Sequence, residues 1–134
     1  MSNIIRPMKY SANEECIVMS NQGTDCFLDL LICAADTLEQ TENQNKLISF
    51  LKERKEINTV SPGTAGFDLT DMPWVEDTIY EDALFLISVI KQAQEDDTIE
   101  KLPYEVNKDI VLPWLKQLEV MVNDFPALMA YFPF

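Results

Sequence analysis

Apolar residues recur at helical spacing along most of the chain, and their phase predicts four main helices. From Thr24 onward, Asp25, Asp29, Asp36, Glu39 and Gln40 fall within one narrow stripe. Phe27, Leu28, Leu30, Leu31, Ile32, Ala34, Ala35 and Leu38 cover most of the remaining circumference. A polar stripe that narrow belongs to a largely buried helix, with Thr24, just after Gly23, as its expected N-cap. Thr41-Glu-Asn-Gln44 has the spacing of a capping box and predicts a second helix running to about Ile57. Leu47, Phe50 and Leu51 supply its apolar face, while Lys46, Lys52, Glu53, Arg54 and Lys55 are expected to point outward.

A third helix is expected from Pro73, with Thr78-Ile-Tyr-Glu81 as a second capping-box match. Its centre, Ala83 to Ile90, is apolar almost all round, which marks it as the central helix of a bundle. Asn107 is placed to cap a fourth helix reaching Asp124. In that helix Ile110, Val111, Trp114, Leu115, Leu118, Met121, Val122 and Phe125 fall in one stripe, and Pro113 falls on the solvent side.

The two ends are less periodic. Ile4–Tyr10 and Cys16–Met19 read either as two short strands or as an extended arm over a helical core. Pro7 demotes the first of them to an edge strand, so an arm with at most a weak hairpin is expected. The tail from Pro126 to Phe134 is almost wholly apolar. It is expected to pack on the core; left exposed, it would instead offer a homodimer contact. The fold expected is thus mainly all-α: one domain over 1–134, a bundle of four main helices, an N-terminal arm or weak hairpin, and a docked C-terminal tail. A count of three glycines fits helices better than a turn-rich β fold.

Composition then narrows the partners. With 47% hydrophobic and 25% charged residues, the chain has enough apolar content to fold despite a net charge of −13. That charge opposes binding to nucleic-acid phosphates and to anionic membrane surfaces, and favours basic proteins. Apolar runs such as Ala83-Leu-Phe-Leu-Ile87 are too short to span a membrane. Cys16, Cys26 and Cys33 form no CxxC pair, and no signal peptide follows Met1-Ser-Asn. A reducing, cytoplasmic setting is the expectation.

The charge is unevenly spread. Between Lys55 and Lys91 there is no basic residue, while Glu56, Asp68, Asp71, Glu76, Asp77, Glu81 and Asp82 all fall in the gap. The segment from Ser61 to Trp74 inside it carries Gly63 and Gly66, which suit left-handed backbone or a close approach of chains. Phe67, Leu69, Met72 and Trp74 either pin this segment to the core or, interleaved with acids, form a contact patch. Glu76, Asp77, Glu81 and Asp82 have a local explanation as acids at a helix start. Asp82 lies among apolar residues on the helical wheel; an exposed place in the first turn is expected for it, the alternative being burial with a partner.

Catalytic kits are scarce. The chain has no histidine, which removes imidazole bases, Ser-His and Cys-His pairs and imidazole metal ligands. The row Asp25, Asp29, Asp36 lacks a Glu-x-x-His partner, and no EF-hand spacing occurs. Gly63-Thr-Ala-Gly66 is not a phosphate loop. Cys26 and Cys33 are expected as small buried hydrophobes. No cofactor and no metal site is assigned.

The reading that remains is an acidic, non-catalytic binding protein for a basic partner, most concretely an immunity-type inhibitor of a nuclease-like toxin. Its candidate contacts are Phe67, Asp68, Asp71, Trp74, Glu76 and Asp77, with Asp68 and Asp71 the acids least explained by local structure. The alternatives are a small carboxylate- or divalent-metal-dependent enzyme and a structural or adaptor subunit dimerising through its tail.

Overall fold

The computed structural model describes residues 2–131. Four helices dominate: α1 (Asn21–Ala35), α2 (Glu42–Val60), α3 (Ile79–Glu95) and α4 (Lys108–Tyr131). A small sheet joins β1 (Ser2–Arg6), β2 (Ile17–Ser20) and β3 (Phe67–Asp68) in the order β2-β1-β3. The mainly-α expectation holds, with strands at the N-terminus.

The first strand is central rather than an edge. β1 pairs antiparallel with β2, placing Ile5 opposite Ile17 and Asn3 opposite Met19. It pairs parallel with β3 on its other side, through Ile5–Phe67 and Arg6–Asp68. Pro7 does no harm, because it follows the last paired residue and its missing N–H is not needed. Ile5, Ile17 and Met19 face the core, while Ile4 and Val18 alternate outward. Asn3 is buried with them and satisfied: its Nδ2 donates to Thr24 Oγ1 (2.8 Å) and Asn58 Oδ1 (3.0 Å), and its Oδ1 accepts from Ala65 N (2.9 Å). This one side chain ties β1 to α1, α2 and the segment leading into β3.

Helix starts follow local chemistry, with two corrections. The α2 capping box forms as expected: Thr41 Oγ1 accepts from Gln44 N and Gln44 Oε1 from Thr41 N. Asn107 caps α4, its Oδ1 accepting from Asp109 N at 3.0 Å. α1, however, starts at Asn21 with Ser20 as N-cap, whose Oγ accepts from Gly23 N. Gly23 is therefore helical. A Cβ there would lie 2.7 Å from the Trp114 ring, so glycine lets α4 come close. Thr78 makes no capping box; its hydroxyl is turned to Asp82 instead, and the chain enters α3 through a 3-10 turn at Glu76–Thr78.

α3 packs against α4, α1 and α2. Ala83, Phe85, Leu86, Val89, Ile90 and Ala93 form its inner face, and Val111, Leu115, Leu118, Val122 and Phe125 that of α4. α3 is not buried all round: Tyr80, Leu84, Ser88 and Lys91 make a solvent stripe. α4 passes through the expected tail boundary. Pro126 is buried within it, Met129 reaches the core and Leu128 is half-buried, so the segment to Tyr131 docks as helix; residues 132–134 lie outside the described part. Among the described residues no helix is long and apolar enough to cross a membrane.

Candidate functional site

The segment after α2 turns at Gly63, whose φ of 90° needs glycine, and then lays Gly66 against β1. A Cβ at Gly66 would sit 2.5 Å from the Ile4 carbonyl oxygen, so no other residue lets β3 pair at this distance. The expected loop thus supplies the third strand. Both roles foreseen for its glycines are filled, one at each position.

The apolar residues of this segment face inward. Phe67, Leu69, Met72 and Trp74 are all buried. Phe67 meets the Phe50 ring edge-to-face at 5.1 Å, and Trp74 lies against Phe125 at 5.0 Å. Trp74 Nε1 donates to Leu69 O at 2.8 Å, which removes the cost of burying the indole N–H.

The acids of this segment are also engaged. Asp68 is buried and accepts from Arg6 Nε at 2.7 Å, and Asp71 Oδ2 accepts from Asp68 N at 2.9 Å, holding the 3-10 turn Leu69–Asp71. The basic gap in the sequence is therefore closed in space by residues from other elements. Arg6 arrives from β1. Arg54 leans over the Phe50 ring and donates from Nη1 to Gly66 O at 3.3 Å, rather than pointing outward.

Asp82 corrects its expectation. It is 1% exposed, and accepts from Asn43 Nδ2 (2.7 Å), Gln44 Nε2 (3.2 Å) and Thr78 Oγ1 (2.8 Å). Three neutral donors replace the water that burial removes, and they bind the start of α3 to the start of α2. The capping-box Gln44 thus serves both helices.

What stays outside is the turn Glu76–Thr78 and the first turns of α3. Glu76, Asp77 and Glu81 are exposed, and so is Asp71. None of the four forms an ion pair among the described residues. Tyr80 and Leu84, four residues apart on one helical row, are 62% and 64% exposed. Of the six candidate contacts, Phe67, Asp68 and Trp74 are thus inside and Asp71, Glu76 and Asp77 outside. Tyr80, Glu81 and Leu84 are exposed beside them and were not among the candidate contacts, although Ser88 and Lys91 continue the Tyr80–Leu84 row and mark it as a solvent face.

Elsewhere, Lys55 reaches Asp29 at 3.4 Å and Asp25 at 3.9 Å, so part of the α1 carboxylate row is neutralised by α2. Cys26 is half-buried and Cys33 exposed, where burial was expected for both. Their thiols are pushed above the ordinary range, first by partial desolvation and then by neighbouring carboxylates: Asp25 and Asp29 for Cys26, Asp29 and Asp36 for Cys33. Among the described residues no cluster of three or more His, Cys, Asp or Glu has a metal-binding arrangement.

The fold is that of a mainly-α protein with a small mixed sheet. The chain matches no family model, no curated protein and no solved structure.

Proposed function

We propose that this protein is an acidic, non-catalytic binding module, folded as one domain, that neutralises a basic partner protein. Its most concrete form is an immunity-type inhibitor of a nuclease-like toxin in the cytoplasm. The observation that carries the reading is the exposure of Tyr80 and Leu84 beside Glu76, Asp77 and Glu81. Acids at a helix start have a local electrostatic use, but an exposed tyrosine–leucine pair between them has none. Tyrosine supplies a large amphipathic contact at small entropic cost, and unpaired carboxylates speed approach of a cationic surface.

In this reading Glu76, Asp77 and Glu81 stand in for the phosphates that a nuclease cleft is built to hold. Phe67, Asp68 and Trp74 act one step back, fixing the chain that leads into the turn. The test is coexpression with the product of an adjoining reading frame that encodes a strongly basic protein. A stoichiometric complex that weakens with salt, and weakens again in the Glu76→Lys/Glu81→Lys variant, is expected. Equal binding by that variant, or no complex at low salt, would refute the reading.

A further inference from the structure

A second surface, with none of its lining on α3, is a groove. It runs between the chain from Pro7 to Glu15 and the C-terminal half of α4, with a volume of about 810 Å³. Met8, Val120, Met121, Leu128 and Tyr131 contribute apolar side chains to its lining. Val120 is 60% and Tyr131 83% exposed.

The walls are held in place. Gln117 Nε2 donates to Cys16 O at 3.0 Å, tying the N-terminal wall to α4. Ser11 closes the turn before it, its Oγ donating to Met8 O at 2.7 Å and accepting from Met8 N at 3.1 Å. A groove braced this way loses little entropy when filled.

Its rim selects the occupant. Glu14 and Glu15 from the N-terminal segment and Asp124 from α4 belong to the lining, all exposed and none in an ion pair among the described residues. We infer that the groove binds an amphipathic segment of another protein, an apolar ridge flanked by lysine or arginine. A second copy of this chain would bring its own net charge of −13 against the same acids, and an anionic lipid surface would be repelled likewise. Met8 and Met121 in the lining accommodate varied apolar side chains. The inference does not depend on the α3 face, because the two surfaces share no residue.

The probe is a fluorescein-labelled amphipathic peptide with leucines at helical spacing and lysines on both flanks, titrated by fluorescence anisotropy at low salt. Saturable one-to-one binding is expected. It should weaken about tenfold or more in Val120→Asp and in Glu14→Lys/Glu15→Lys/Asp124→Lys, and stay unchanged in Glu76→Lys/Glu81→Lys. Thermal melts of the groove variants should match the wild type, since the replaced side chains are exposed. Three outcomes would overturn the inference. One is equal affinity for a peptide with glutamate in place of lysine. Another is unchanged binding by both groove variants. The third is a self-associated wild type, or peptide binding confined to a chain ending at Tyr131, which would assign the groove to a second copy or to residues 132–134.

Discussion

The two halves of the acidic stretch after α2 have similar composition and opposite uses. From Phe67 to Trp74, aromatic residues turn inward and the acids serve the fold: Asp68 pairs with Arg6 and Asp71 holds a turn. From Glu76 to Leu84, Asp82 turns inward to Asn43, Gln44 and Thr78, but Glu76, Asp77 and Glu81 stay exposed and form no ion pair among the described residues, beside the exposed Tyr80 and Leu84. The difference is set by what the topology brings to each half. β1 delivers a cation to the first half and sheet pairing fixes its backbone, whereas the outer side of α3 has no neighbour among the described residues. Segregated charge in a sequence is therefore a guide to a surface only after the cations from elsewhere are placed.

The comparison can be broken from the inside outward. Trp74→Ala should cost about 3–5 kcal/mol, since it removes a packed ring and leaves the Leu69 carbonyl without its donor. A denaturant midpoint close to the wild type would show that the first half is not fold. Asp82→Ala should cost roughly 2–3 kcal/mol, because Asn43, Gln44 and Thr78 lose their common acceptor in a buried place. A loss well below that would mean these donors find water. Arg6→Ala should cost on the order of 1–2 kcal/mol, the arginine being partly exposed although it leaves Asp68 unpaired.

The smallest effect concerns Cys33. Because its thiol sits above the ordinary range, the thiolate fraction at neutral pH is low. Alkylation should be slower than for free cysteine at pH 7 and should approach it only as pH rises past the raised value. Faster alkylation than free cysteine at pH 7 would contradict the assignment.

Much of the helical frame was legible in the residues. The Thr41–Gln44 box and the Asn107 cap have spacings that local hydrogen bonding alone explains, so tertiary context had little to override. β3 was not legible, since two residues show no period and their pairing depends on Gly66 lying flat against Ile4. The edge assignment of β1 failed because Pro7 constrains only the residues that need its N–H. Asp82 was signalled by its angle among apolar positions. The preference for acids at helix starts outweighed that angle, because the donors Asn43 and Gln44 lie far away in sequence. The exposed face of α3 was hidden by Leu84, an apolar residue on the solvent side, although Ser88 and Lys91 share its row.

The division between the two halves is tested most directly by the affinity of the proposed basic partner for wild type and for Tyr80→Ser/Leu84→Ser, measured together with thermal melts. Both side chains are exposed, so stability should change by no more than about 0.5 kcal/mol. The account predicts dissociation constants at least about tenfold weaker with superimposable melts. Unchanged affinity, or a loss of affinity that tracks a loss of stability, would contradict it.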